Sequence, residues 1–339
     1  MPGSIPGSPT TPPVPAEHHD GPAASVPFDV LAVGQSGRLE AEALLLAASF
    51  RLASPGFPGR LVVAEPQPGP LWPRDPRVRA GTRAALADLG ATLLPFDSRH
   101  FGAAYPLGNK IEALQLLDGP FLFLDTDTLV LGDLAALPTH RPSASMRREN
   151  TWPVERPGWP GLAATWGALY DRFGLDMAAS LDPSHPEGDW RRHLYFNAGW
   201  FTGPDARAFH DLFLRIALEV RDDPPPAVAL QPLDPWLDQA ALPLVVHALG
   251  GGRPGSDLAG LDGSLACHYR TFALLYARES DAAVAMLERV APLAPFHEPL
   301  RRAVDGEGAR ARALFDRDAL PPTERAIRQR LKAHGLWAR

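Results

Sequence analysis

The stretch Phe121-Leu122-Phe123-Leu124-Asp125-Thr126-Asp127-Thr128-Leu129-Val130-Leu131-Gly132-Asp133-Leu134 sets the reading of the whole chain. Four apolar residues run straight into two carboxylates. That pattern describes a fully buried strand whose far end opens on a polar crevice, because open α/β sheets bind ligands at the carboxyl ends of their strands. Residues i and i+2 of an extended backbone project to the same side, so Asp125 and Asp127 aim at one point while Thr126 faces away. Two like charges so placed raise each other's pKa unless a cation lies between them, and hard oxygen donors suit Mg²⁺ or Mn²⁺. Such a cation can hold a diphosphate.

Upstream, strands alternate with helices. Phe28 to Val33 reads as a buried strand, and Leu39 to Arg51 as a helix of strong helix formers that is apolar on nearly every face and ends at Pro55-Gly56. Arg60 to Ala64 is a second strand, about Asp75 to Leu89 a second helix, and Ala91 to Phe96 a third strand. This alternation predicts a mainly parallel sheet. Gly34-Gln35-Ser36-Gly37 lacks the spacing of a phosphate loop and reads as a strand-to-helix turn that needs glycine. Tyr105 to Leu114 starts another helix, with Lys110 in its first turn. Lysine is rare in this arginine-dominated chain, and this one stands just before the carboxylate strand, where it can reach a phosphate or a sugar hydroxyl.

Composition sets the outer bounds. The chain has 339 residues, 45% hydrophobic and 21% charged, with a formal charge of −6. It can bury a large core, and it lacks the basic surplus that nucleic-acid binding demands. One cysteine, Cys267, excludes an internal disulfide and a cysteine zinc cluster, and it reads as a small buried apolar residue. No apolar run approaches the ~20 residues of a membrane span, and the N-terminus has no signal-peptide pattern, so the expected location is cytoplasmic. Residues 1–26 are rich in Pro, Ser, Gly and Thr and read as a disordered tail, in which His18-His19-Asp20 is a solvated pair.

Downstream, Pro142 to Met146 reads as a strand. The segment from Arg147 to Trp190 then breaks the rhythm, with Trp152, Trp159, Trp166, Tyr170 and Trp190 among prolines and glycines; pocket lining and sheet-edge core are equally open for them. His193 to Gly203 reads as a strand carrying Asn197 and Gly199. Asparagine is disfavoured in strands and suggests a used amide, and the glycine suggests a close approach by a ligand or backbone. Asp205 begins a helix. Asp234 is the expected N-cap of the next, with Pro235 at its first position and Asp238-Gln239 about one turn in. His268 closes a short strand, and about Leu274 to Arg339 is helical in pattern. Its last helix carries Arg325, Arg328, Arg330 and Lys332 beside an Ile327/Leu331 stripe, a basic face that is either solvated or docks on an acidic partner or an anionic membrane.

Leu124-Asp125-Thr126-Asp127, Phe196-Asn197-Ala198-Gly199, Asp238-Gln239 and His268, in this order, resemble the GT-A glycosyltransferases, and within them the glycogenin-like and galactosyltransferase-like group called family 8. The resemblance spans about residues 28–272, leaving 273–339 as a helical extension. It implies a metal-dependent transferase that moves a sugar from a nucleotide-diphosphate donor, UDP by family analogy, to an unidentified acceptor. By the same resemblance Asp125, Asp127 and His268 become ligands of Mn²⁺ or Mg²⁺, and Lys110 a donor contact. Thr126 and Gly199 join the donor site, while Asn197, Asp238 and Gln239 line the donor sugar and the acceptor side. Asp238 is the first candidate for stabilising a positive sugar and Gln239 the second. Where the family commonly continues its histidine with a glycine and Lys-Pro-Trp, this chain has Tyr269-Arg270-Thr271-Phe272; Arg270 is the expected substitute for the lysine, since a guanidinium forks onto phosphate. The 147–190 segment matches no family motif. Two other readings compete: a haloacid-dehalogenase-like phosphatase using Asp125 and Asp127, and a GT-A-shaped protein that binds nucleotide or glycan without turnover.

Overall fold

Strand alternation sorts the central side chains into two cores. Val30, Ala32, Leu61, Val63, Leu122 and Leu124 pack on one face of a sheet, and Leu31, Val33, Val62, Ala64, Phe121 and Phe123 on the other. A computed structural model describes residues 27–147 and 152–337. Its six-stranded sheet contains β1 (Asp29–Val33), β2 (Leu61–Pro66), β3 (Thr92–Phe96), β4 (Phe121–Leu124), β6 (Ser143–Ser145) and β7 (Asn197–Gly203) in the order β3-β2-β1-β4-β7-β6; β5 (Thr128–Val130) and β8 (Ala266–His268) form a separate pair. The first four strands are mutually parallel, and β7 runs antiparallel to both β4 and β6. Helices cover both faces, as a sheet buried on two sides requires. Helices Arg38–Ala53 and Ala80–Asp88 and the C-terminal helices lie on the first face; Asn109–Ala113, Leu162–Arg172, Ala206–Asp222 and Leu237–Ala248 lie on the second.

The chain leaves β1 toward β2 and β3, then returns to place β4 on the other side of β1. At that reversal the loops after the two strands diverge and open a crevice. The Asp125-Thr126-Asp127 turn leaves β4 there, and the Gly34 to Gly37 turn leaves β1. Gly37, at φ 88, makes the left-handed step that starts the Arg38–Ala53 helix. That helix carries apolar residues on nearly every face because its middle, Glu40 to Phe50, is buried on every face. It also grips β5, since Ser49 Oγ accepts from Val130 N (3.0 Å) and Ser54 Oγ accepts from Leu134 N (2.7 Å).

Three sequence expectations change. The strand expected from His193 begins at Asn197, because a 3₁₀ turn at Trp190–Arg192 delivers Leu194, Tyr195 and Phe196 into the core in an irregular segment. The helix expected to be capped by Asp234 starts at Leu237, since a turn with a cis Asp234–Pro235 bond precedes it. The aromatic segment includes a regular helix, Leu162–Arg172, and Trp152, Trp166 and Tyr170 are core, at 0%, 1% and 2% exposure. Trp190 instead lines a surface groove with Asp189 and Arg191. The N-terminal tail and its histidine pair lie outside the described residues. No helix among the described residues is long and apolar enough to cross a membrane.

Candidate active site

Backbone pairing brings three ligand-type side chains together. Asp125 N donates to Gly199 O (2.8 Å), which fixes the exit of β4 against β7. Thr128 pairs with His268 in the β5–β8 ladder, and Tyr269 N donates to Asp127 O (2.9 Å), so His268 arrives beside the second aspartate. Its Nε2 lies 3.1 Å from Asp127 Oδ1 and 3.9 Å from Asp125 Oδ2. One ligand atom from each of Asp125, Asp127 and His268 lies within 4.8 Å of the others. Two carboxylates and an imidazole so placed form a donor set that fits a divalent cation such as Mn²⁺.

Gly199 is what admits the histidine. A Cβ there would stand 2.1 Å from His268 Nδ1 and 2.8 Å from Asn197 Oδ1. The close approach read from the sequence is therefore made by an imidazole. Asn197 uses its amide oxygen to accept from Gly199 N (2.8 Å), which pins this turn of β7 while the residue still lines the cleft.

Lys110 lies deeper than its sequence position suggests. It is buried, and its ammonium faces Asp125 (2.9 Å to Oδ1, 3.1 Å to Oδ2), Asp238 Oδ2 (3.3 Å) and the carbonyl of Ala198 (3.1 Å). Three acceptor groups match the three N–H donors of an ammonium, so the lysine bridges carboxylates where a reach into the cleft was expected. Burial opposes its charge, but Asp125 and Asp238 outweigh burial and raise its pKa. Asp238, also buried, has its pKa raised by burial, against the opposing pull of Lys110. Tyr105 Oη holds it from behind, 3.0 Å from Asp238 Oδ1, while accepting from Asp238 N (3.1 Å). Tyr195 Oη donates to Gln239 Oε1 (2.8 Å) and fixes that amide's rotation.

Asp127 faces cations. Burial alone would raise its pKa, but His268, Arg38 and Arg270 hold the carboxyl well below the ordinary carboxylate range. Arg38, the first residue of its helix, has Nη1 2.8 Å from Glu42 Oε1, 3.7 Å from Asp127 Oδ2 and 3.3 Å from the Arg270 carbonyl. Burial and then Asp127 push Glu42 well above its usual value. Thr126 is buried and lines, with Asp125, Asp127 and Lys110, a smaller recess beside the cleft, so the alternation expected of an extended strand does not separate it from the aspartates. Sequence reasoning missed Arg38, Glu42, Tyr105 and Tyr195. Arg38 alone carried a signal, since it follows the turn after β1 and ligands collect where neighbouring strands part.

These side chains line one cleft of about 320 Å³, including Arg38, Lys110, Asp125, Asp127, Asn197, Asp238, Gln239, His268 and Arg270. Arg328 of the C-terminal helix Glu324–Ala333 joins them, so the basic face of that helix is divided: Arg328 turns inward and Arg325, Arg330 and Lys332 stay exposed.

Among solved structures, the chain is similar to the galactosyltransferase LgtC in complex with donor and acceptor sugar analogues, at 14% identity over 88% of this chain and 100% of that one, with a TM-score of 0.43. It is also similar to apo mouse xyloside xylosyltransferase 1, at 13% identity over 66% and 82%, with a TM-score of 0.35. No protein of curated function matches its sequence. Residues 30–250, which contain the Asp125-Thr126-Asp127 turn, Asn197 and Asp238-Gln239, match the Rhodobacterales glycosyltransferase domain, and the chain belongs to that family of glycosyltransferases.

Proposed function

We propose that this glycosyltransferase moves a sugar from a nucleotide-diphosphate donor, with UDP as the expected nucleotide, and that a divalent cation held by Asp125, Asp127 and His268 supports the transfer. The convergence of those three side chains at the exit of β4 carries the reading. When bound, the cation supplies positive charge to a departing diphosphate. The remaining work belongs to the chain. Arg38 and Arg270 stand beside Asp127, where guanidiniums can fork onto phosphate oxygens. Lys110 lets Asp125 and Asp238 lie close together, and Asp238 offers negative charge to a sugar that becomes oxocarbenium-like as the bond to phosphate breaks. Asn197 and Gln239 line the sugar and acceptor side, each braced by a hydrogen bond. Gly199 contributes room, and Thr126 lines the recess beside the two aspartates.

No observation favours phosphatase chemistry with Asp125 as nucleophile in a glycosyltransferase domain. Non-catalytic binding has no observation in its favour within a family of glycosyltransferases. The test is Asp127→Asn. It should abolish Mn²⁺-dependent donor binding, measured by titration, while the protein still folds and melts in one cooperative transition. Unchanged donor affinity in the presence of Mn²⁺ would sink the metal assignment.

A further inference from the structure

The cleft contains a cation that the family domain does not supply. Arg328 comes from the Glu324–Ala333 helix, far beyond residue 250, and it lines the same cleft as Asp125, Asp127 and His268. Its orientation is built. Glu324, capped in place by Thr323 and buried at 7% exposure, sits within a set of guanidiniums: Arg270 Nη1 at 3.6 Å, Arg278 Nη1 at 2.9 Å, and Arg328 one helical turn on. Arg328 also lies over the ring of Trp337 at 5.3 Å, and its Nε is buried without a hydrogen-bond partner among the described residues. Glu324 therefore fixes one edge of Arg328 while the residue still faces the cleft.

A second observation comes from the other side of Glu324. Arg270 is the one non-glycine residue among those described with positive φ, at 65°. A bulky residue in that region is strained, and such strain persists where the surroundings dictate it, often at ligand sites. Here the backbone turn sends the Arg270 carbonyl to Arg38 and its guanidinium toward Glu324. Three arginines from three separated parts of the chain thus border one side of the cleft.

Charge says what they face. Lys110 and a divalent cation would offset the carboxylates of Asp125, Asp127 and Asp238; opposite them Arg38, Arg270 and Arg328 face two carboxylates, Glu42 and Glu324, which leaves positive charge for an anion. A nucleoside diphosphate gains negative charge as the sugar leaves it, and forked donors bind such oxygens best. We infer that Arg328 grips the terminal phosphate of the donor diphosphate together with Arg270 and Arg38, with Glu324 as the positioning residue that aims it, so that the C-terminal helix completes the donor site. This rests on the nucleotide-sugar reading above and adds to it a residue from outside the family domain.

The test uses the full chain, with UDP, GDP and their monophosphates as probes in the presence of Mn²⁺, and the variants Arg328→Gln and Arg328→Lys. Arg328→Gln should weaken binding of the preferred diphosphate about tenfold and leave the matching monophosphate within about twofold, because only the diphosphate reaches the guanidinium. Arg328→Lys should recover part of the loss, since it keeps the charge and loses the fork. Equal affinity of parent and Arg328→Gln for the diphosphate overturns the inference, as does an equal loss for both nucleotides, which would mark a structural role. If the parent protein binds none of these nucleotides with metal, the donor reading falls and this inference with it.

Discussion

Asp125, Asp238 and Lys110 illustrate how this site keeps buried charge. The ammonium is the buried charge: it stands 2.9 Å from the half-exposed Asp125 and 3.3 Å from the buried Asp238, whose pKa burial still raises. Gly199 makes the companion point about space, because the imidazole occupies the volume a side chain would need. Gly199→Ala should therefore displace His268 from the aspartates, lower Mn²⁺ affinity measured by titration, and cost about 1–3 kcal/mol in denaturant unfolding. Mn²⁺ affinity equal to that of the parent would show that His268 is not a ligand. The aspartates were legible from sequence because an apolar tetrad cannot end in two carboxylates without a use for them. Arg38 carried only its place after the β1 turn, and Arg328 only its basic helix, because a charged residue in either position looks the same whether it faces water or a ligand. Lys110 was noticed for its rarity and position, but its burial under two acids separated from it by 15 and 128 residues is a tertiary fact.

At the scale of elements, the alternating strands and helices before residue 130 could be read because each strand is a continuous apolar run bounded by turns. The segment after residue 147 could not, since its tryptophans fit a pocket or a core equally well. The packing decides it. Trp152 meets Trp166 edge-on at 5.2 Å, and Trp166 meets Tyr195 at 5.8 Å, which holds Gln239. The inserted helix thus buttresses the wall of the cleft. A second junction, at the end of helix Phe272–Arg278, is ionic: the buried carboxylate of Glu279 accepts from Arg147 Nη2 (2.7 Å) and Arg278 Nε (2.7 Å). Burial raises the pKa of Glu279, but the two arginines outweigh it, and the folded value lies below the ordinary 4.5. A depressed folded pKa gives stability that is complete above the unfolded value and is lost as pH falls through the folded one. Glu279→Gln should accordingly cost stability at pH 7, by about 1 kcal/mol or more, and its gap from the parent should narrow as pH drops below 4.5. Unfolding curves at the two pH values check this; a constant gap would contradict the ionic account.

Over the whole molecule, the helices after residue 273 share the core of the first sheet face. Leu287, Val290, Leu300, Ile327 and Leu331 are all at 3% exposure or less and belong to the same cluster as Leu44 and Val63. Each such side chain is worth about 1.5–3 kcal/mol when buried, so together they contribute about 7.5–15 kcal/mol, as large as the 5–15 kcal/mol by which a domain is usually stable. We expect a chain ending at Glu279 to show no cooperative melting transition; a sharp transition would show that residues 27–279 fold alone. The helical pattern of this region was plain in the sequence, but which face of each helix meets the sheet was not, because that depends on neighbours hundreds of residues away. Its last helix links this core to the cleft through Glu324 and Arg328, so core and cleft meet in one element.

The central claim is that the Asp125, Asp127 and His268 cluster holds a cation for a nucleotide-diphosphate donor. Calorimetric titration of the full chain with UDP, GDP and their common sugar conjugates, with and without Mn²⁺, tests it most directly. The account predicts binding of one nucleotide family, strong with the metal and weak or absent without it. Binding of none of them under either condition, or binding that ignores the metal, would contradict it.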